Sequence, residues 1–258
     1  MKAIILAAGK GTRLGQITEK QPKCLLRIGK TNILDIQTKQ FLNNNIEQIF
    51  VVSGHCSEQI QSKQITKIDN GEYDTTNMVY SLIKARQYLD DDVIISYGDI
   101  IYNDSILSGL ILDESKDLVV SDKNWRQYWI ERYNSFEIDI ESFKTKNGKL
   151  VEIGQKCDSA DNIDGRYIGL MKFSKATIRK ILEIWDRDFE EYSNKIWKTT
   201  KKYIHESFMT DMLQELINEG VSLNVYEINN QWCEIDTIKD YQLAQTFYLK
   251  NMKNSYDK

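Results

Sequence analysis

Ala3-Ile4-Ile5-Leu6-Ala7-Ala8 is apolar without alternation and runs straight into Gly9-Lys10-Gly11. A strand of that kind has no face to show to water, so helices must cover it on both sides, as in a parallel sheet. The next segments fit the same plan. Ile33, Leu34, Ile36 and Phe41 lie on one face of a helix predicted over 33–42, and Ile49-Phe50-Val51-Val52 is a second apolar run, stopped by Ser53-Gly54. Strand, helix and strand in about 50 residues make a right-handed βαβ unit with parallel strands.

The pattern continues with a helix over 78–89, a strand at Val93–Tyr97 stopped by Gly98, a short helix over 106–111 and a strand over 117–120. Residues 123–167 are less regular, rich in Trp, Tyr and charge, with a hairpin turn at Asn147-Gly148 between strands 141–146 and 149–153. Beyond it come a strand over 167–173, a helix N-capped by Ser174 and carrying Ile178, Ile181, Leu182 and Trp185, a helix over 208–219 closed by Gly220, and a last strand over 221–228. The only proline is Pro22 and no Gly/Ser-rich linker interrupts the chain, so 1–258 reads as one α/β domain ending in a helix over 237–258. Phe247 and Leu249 in that helix either dock on the parent domain or leave a homodimer open.

A chain of 258 residues buries enough surface to need neither disulfide nor structural metal. Its 34 Lys+Arg against 38 Asp+Glu give a net charge of −4 with no basic block, which argues against nucleic acid and membrane surfaces as partners. Cys24, Cys56, Cys157 and Cys233 are widely spaced without a CxxC pair, and two histidines cannot complete a zinc finger, so a reducing cytoplasm is expected. The first apolar run is too short for a membrane span and gives way at once to Lys10 and Arg13.

Chemistry concentrates at three places. A strand opening into Gly9 and Gly11 leaves backbone N–H groups uncovered, and Arg13 and Lys23 add positive charge, a combination suited to a triphosphate. Two familiar phosphate motifs fail here: GxGxxG needs glycine where Leu14 stands, and GxxxxGK[ST] needs glycine at Cys24. Asp99, in Tyr97-Gly98-Asp99, lies just past the carboxyl end of a strand, where open α/β sheets bind ligands, though it could equally cap a turn. In Trp232-Cys233-Glu234-Ile235-Asp236-Thr237, alternation places Glu234 and Asp236 on one side of a strand, as a site or as a solvated face.

LAAGKGTRL, followed by Pro22-Lys23, resembles the LxxGxGTRL…PK signature of the nucleotidyltransferase superfamily that includes sugar-1-phosphate nucleotidylyltransferases and bacterial phosphocholine cytidylyltransferases. Tyr97-Gly98-Asp99, Tyr167-Ile168-Gly169-Leu170 and Glu234-Ile235-Asp236 follow in that family's order, so the resemblance spans nearly the whole chain. It implies a Rossmann-like three-layer fold with a mostly parallel mixed sheet and a small acceptor-binding lobe at about 123–167. It also implies that Leu6, Ala8, Gly9, Gly11, Thr12, Arg13 and Lys23 hold the nucleotide, with Arg13 gripping pyrophosphate and Lys23 the reacting phosphoryl. Mg²⁺ is implied between Asp99 and Asp236, with Glu234 as a third acidic group at hand.

Sugar-specific members carry a GxAxA-like stretch where this chain has Asn77-Met78-Val79-Tyr80-Ser81-Leu82, which is similar to phosphocholine and phosphonate cytidylyltransferases. CTP is therefore the implied nucleotide, with Asn77, Tyr80 and Ser81 beside it; the same residues also read as a helix start capped by Thr76. Trp125, Tyr128 and Trp129 at helical spacing are either the core face of an amphipathic helix or, with Arg126 and Arg132, an aromatic and cationic pocket for a phosphate or phosphonate acceptor. Tyr167 and Lys156 join that acceptor set by resemblance, although Cys157 stands where proline usually follows the lysine.

The reaction implied is attack of an acceptor oxygen on the α-phosphorus of CTP with loss of pyrophosphate. Three alternatives differ from it: a sugar-1-phosphate uridylyl- or thymidylyltransferase, a nucleotide-binding regulatory module without turnover, and a glycosyltransferase, whose Asp-x-Asp motif Asp99-Ile100-Ile101 does not supply. His55 and His205 read as structural, and no cysteine has the electropositive setting of a nucleophile.

Overall fold

The structure is a computed structural model and describes residues 1–256. Strands β1 (Lys2–Ala7), β2 (Ile49–Ser53), β3 (Thr66–Asp69) and β4 (Val93–Tyr97) pair in parallel in the order β3-β2-β1-β4. Helices α1 (Ile33–Asn43) and α2 (Met78–Lys84) accompany these strands. The chain continues through β5 (Ile100–Tyr102), α3 (Asp104–Leu112) and β6 (Leu118–Asp122) to α4 (Trp125–Tyr133) and the hairpin β7 (Glu141–Lys146) and β8 (Lys149–Lys156). Next come β9 (Arg166–Phe173), α5 (Lys175–Tyr192), α6 (Met209–Asn218), β10 (Asn224–Ile228), β11 (Trp232–Glu234) and α7 (Ile238–Asn251).

Nine strands form one sheet in the order β3-β2-β1-β4-β9-β6-β10-β8-β7. Only β9 and β8 run against the others. This is the mixed, mostly parallel three-layer α/β architecture expected, and residues 123–167 contribute strands to the same sheet. The apolar strands β1, β2 and β4 supply the middle of the core, with Ala3, Ile4, Ile5, Val51, Val52, Ile94 and Ile95 fully buried. At the edge, β3 reads Thr-Lys-Ile-Asp and is mostly exposed, so charge blunts the open ladder.

Local signals in the sequence have local counterparts. Asn147 (φ 52°) and Gly148 (φ 73°) are both left-handed, as a type I′ hairpin turn requires. The Ser174 hydroxyl accepts from the Thr177 N–H and caps α5. Other expectations shift. Helix α2 ends at Lys84, with a separate 3₁₀ turn at Arg86–Tyr88, and its cap is Asn77, not Thr76: Thr76 donates its hydroxyl to the Glu72 carbonyl instead. Strand β10 starts at Asn224 and is not the last, because β11 follows and pairs with β5.

The terminal helix α7 stops at Asn251 and a further single-turn helix follows at Lys253–Tyr256; residues 257 and 258 of the expected helix lie outside the described residues. Along α7, Phe247 packs partly against the core while Leu249 stays exposed. No described helix is long and apolar enough to cross a membrane.

Gly220 closes α6 in the left-handed region (φ 80°), and no atom lies within 4 Å of where a Cβ would stand. The cost of Gly220→Ala is therefore backbone strain alone, about 1–2 kcal/mol. Urea denaturation should show a loss of that size with turnover unchanged, and Gly220→Asn should lose less.

Candidate active site

The two halves of the site meet through β5 and β11. Their antiparallel pairing sets Trp232 against Tyr102, Cys233 against Ile101 and Glu234 against Ile100, and the Ile235 N–H then donates to the Asp99 carbonyl at 3.0 Å. Residue 236 is thereby delivered to the turn that follows β4. Buried Gln37 of α1 holds that turn, donating to the carbonyls of Tyr97 (2.8 Å) and Ile100 (2.7 Å). Gly98 lets it sit tight on β1: its N–H donates to Leu6 at 2.8 Å, and a Cβ there would fall 2.6 Å from that of Ala7.

Lys23 stands between the two carboxylates, its Nζ 2.9 Å from Asp99 Oδ2 and 2.7 Å from Asp236 Oδ1. Arg13 reaches the other oxygen of Asp236 at 3.0 Å. Burial by itself would push the Lys23 ammonium down, but Asp99 and Asp236 outweigh it and hold it above its ordinary value. Burial would likewise raise the Asp236 carboxyl, yet Lys23, Arg13 and Arg132 together hold it low.

The glycine loop faces this cluster. Gly11 is left-handed (φ 65°), and its carbonyl accepts from the Thr18 hydroxyl at 2.7 Å. Among the described residues, none accepts a hydrogen bond from the N–H groups of Gly9, Lys10 or Gly11, which leaves them for an anion. His55 closes the loop from below, its N–H donating to Ala8 and its ring bonded to the Thr18 carbonyl at 2.8 Å.

A cleft opens between these parts. Leu6, Ala8, Gly9, Gly11, Lys23, Asn77, Ser81 and Asp99 line it, as the sequence suggested, and so do Tyr73 and Tyr97. Tyr73 was not foreseen. It belongs to a loop organised by buried Asn70, which donates to Thr76 Oγ1 (3.2 Å) and Ser81 Oγ (3.1 Å) and accepts from the Glu72 N–H. Lys10 ties the glycine loop to it, 2.9 Å from Asp74 and over the Tyr73 ring.

Several expected residues stand elsewhere. Thr12 lies in an exposed 3₁₀ turn and does not line the cleft. Tyr80 is on another face of α2, its hydroxyl donating to Glu72 and its ring against Trp185. Trp125 and Trp129 have no exposed surface and pack edge-to-face on each other, so they are core and have no face to offer an acceptor. Arg126 turns to the carbonyls of Ala160 (2.7 Å) and Ile163. Lys156 is exposed at the far end of β8 and pairs in register with Glu141, away from the cleft lining. Tyr167 keeps its place near the site, edge-to-face on Tyr97 with centroids 5.7 Å apart.

Glu234 is also redirected. Its carboxylate pairs with buried Arg132 instead of joining Asp99 and Asp236, because β11 ends at Glu234 and the alternation does not extend to Asp236. Among the described residues no three Asp, Glu, His or Cys side chains gather as a metal cage. Two hard oxygen donors around one ammonium nonetheless suit a cation that fills its remaining positions with phosphate oxygens and water, and Lys23 marks where positive charge is welcome.

Comparison with known proteins identifies the family. The profile of the MobA-like NTP transferase domain matches residues 3–142. The chain belongs to that family. It is a nucleotidyltransferase. A CTP:phosphoglutamine cytidylyltransferase from Campylobacter jejuni is 34% identical over 94% of this chain and 98% of its own length. A choline-phosphate cytidylyltransferase from Streptococcus pneumoniae is 24% identical over 97% of this chain and 99% of its own. A solved structure of the CTP:phosphocholine cytidylyltransferase from Streptococcus pneumoniae superposes with a TM-score of 0.72 at 21% identity, covering 95% of this chain and 97% of that one, which shows the shared fold.

Replacing Lys23 by Met leaves two carboxylates facing each other without their shared cation, and breaking such a pair costs about 3–5 kcal/mol. A carboxyl held low stabilises the fold above its unfolded pKa and loses that contribution as pH falls through the folded value; a raised lysine does so below its unfolded pKa and loses it as pH rises. Chemical denaturation at neutral pH should show the full gap between wild type and Lys23→Met. The gap should shrink below the carboxylate range, where protonation relieves the repulsion. Equal gaps at both pH values would count against shared charge as the cause.

Proposed function

We propose that the protein transfers CMP from CTP to a small phosphorylated acceptor, releasing pyrophosphate, and that the acceptor is a phosphorylated amide of the phosphoglutamine kind. One observation carries the reading: Lys23 bridges Asp99 and Asp236 beside a glycine loop whose N–H groups have no acceptor among the described residues. The acceptor class rests on the relative that is 34% identical over nearly its whole length.

The base lies in the part of the cleft bounded by Leu6, Ala8, Tyr73, Asn77 and Ser81, and the triphosphate lies over Gly9 to Gly11. The acceptor's phosphate oxygen is already anionic near neutral pH and attacks the α-phosphorus. The bond between that phosphorus and the β-phosphate oxygen breaks, and pyrophosphate leaves with the electron pair. No side chain has to take a proton. Positioning two anions and offsetting their repulsion is the main task, and Lys23 and Arg13 perform it by turning from the carboxylates to the phosphates. Asp99 and Asp236 would hold Mg²⁺, which when bound neutralises phosphate charge. Tyr97, backed by Tyr167, walls the cleft beside Asp99 and is the proposed acceptor side. The four free cysteines fit a cytoplasmic setting.

Pyrophosphate release measured with CTP, UTP, dTTP, ATP and GTP against phosphoglutamine, phosphocholine, 2-aminoethylphosphonate and glucose 1-phosphate tests the proposal directly. CTP with phosphoglutamine should turn over fastest, EDTA should stop the reaction and Mg²⁺ should restore it. Asp99→Ala and Asp236→Ala should each abolish turnover. Lys23→Ala should raise the barrier by at least ~3 kcal/mol, about a hundredfold in rate. Preference for UTP or dTTP with the sugar phosphate would overturn the assignment of base and acceptor.

A further inference from the structure

Arg132 belongs to the helix that the sequence associated with the acceptor, yet its side chain has no exposed surface. Its Nε and Nη2 donate to the two oxygens of Asp240 at 2.8 and 3.0 Å, a bidentate clamp, and its Nη1 pairs with Glu234. Trp129 and Tyr133 flank the guanidinium at 4.6 and 4.8 Å from their ring centroids. Asp240 in turn accepts from the N–H groups of Asp236 (3.1 Å) and Thr237 (2.9 Å). The clamp therefore ends on the backbone of Asp236, and Nη2 also lies 3.8 Å from the Asp236 carboxylate.

The three cations around Asp236 are not equivalent. Lys23 lines the nucleotide cleft, and Arg13, just outside that lining, is 60% exposed, so each has a path to a triphosphate. Arg132 is sealed beneath β11 and α7 and cannot follow them.

We propose that Arg132 is a positioning residue for the transfer reaction, a fixed guanidinium that holds the 234–240 turn and keeps the Asp236 carboxylate aimed at the cleft once Lys23 and Arg13 engage the nucleotide. The inference rests on the reading that Asp236 serves the reaction. It requires the planar fork, because a single ammonium cannot hold both oxygens of Asp240 and face Glu234 and Asp236 together.

The test compares wild type, Arg132→Lys and Asp236→Asn, each first shown by thermal melting to be folded at the assay temperature. Arg132→Lys should lower kcat on the order of a hundredfold, the scale of a small misplacement of a reacting group. Its KM for CTP should stay within about twofold, since Arg132 touches no part of the nucleotide cleft. Mn²⁺ binding in the presence of a non-hydrolysable CTP analogue, followed by electron paramagnetic resonance, should weaken about tenfold in Arg132→Lys, with metal-free binding of the analogue unchanged. If Arg132→Lys does not fold, Asp240→Asn, which opens the same clamp, replaces it with the same expectations. Wild-type kcat and Mn²⁺ affinity in a folded clamp variant, with Asp236→Asn inactive, would overturn the positioning role alone. An active Asp236→Asn would instead overturn the assignment of Asp236 on which it rests.

Discussion

One ammonium group links three distant stretches of the polypeptide. Lys23 Nζ sits within hydrogen-bonding distance of Asp99, 76 positions away, and of Asp236, 213 positions away. Closing loops of that length costs conformational entropy, and three charges in a partly buried cluster do not repay it by themselves. The β5–β11 ladder and the Gln37 clamp on the 97–100 turn supply the further contacts that hold the two carboxylate-bearing segments together.

Asp99, Glu234, Asp236 and Asp240 face Arg13, Lys23 and Arg132, which leaves an excess of negative charge in the nucleotide-free protein. A cluster with one carboxylate too many is favourable for a cation, and of its three basic side chains Arg13 is the one open to solvent, at 60% exposure.

The aromatic residues of α4 serve the site from a distance. Tyr128 accepts from the Glu234 N–H at 3.0 Å and packs edge-to-face on Trp232, and Trp129 lies between the guanidinium groups of Arg132 and Arg166. This large apolar surface supports the strand and turn that carry Asp236. An aromatic and basic helix that looked suited to recognising a ligand is in this way a foundation for the edge that carries Asp236.

Most of the strands and helices, the type I′ turn at Asn147-Gly148, the Ser174 cap, the Gly220 stop and the place of Gly9, Gly11 and Lys23 along one cleft were legible in the sequence, because each depends on residue types within a few positions of one another, whereas the short or polar strands Thr66–Asp69 and Ile100–Tyr102 carry no such pattern. Resemblance extended that reach to the pairing of Asp99 with Asp236. What only the tertiary structure decided was which way side chains with two uses would turn: Tyr80 toward Glu72, Glu234 toward Arg132, and Trp125 and Trp129 into the core. The periodicity of α4 is the same whether its aromatic face meets a ligand or another strand. The partner that settles it, β11, comes from 100 residues further along the chain, beyond the range of any local pattern.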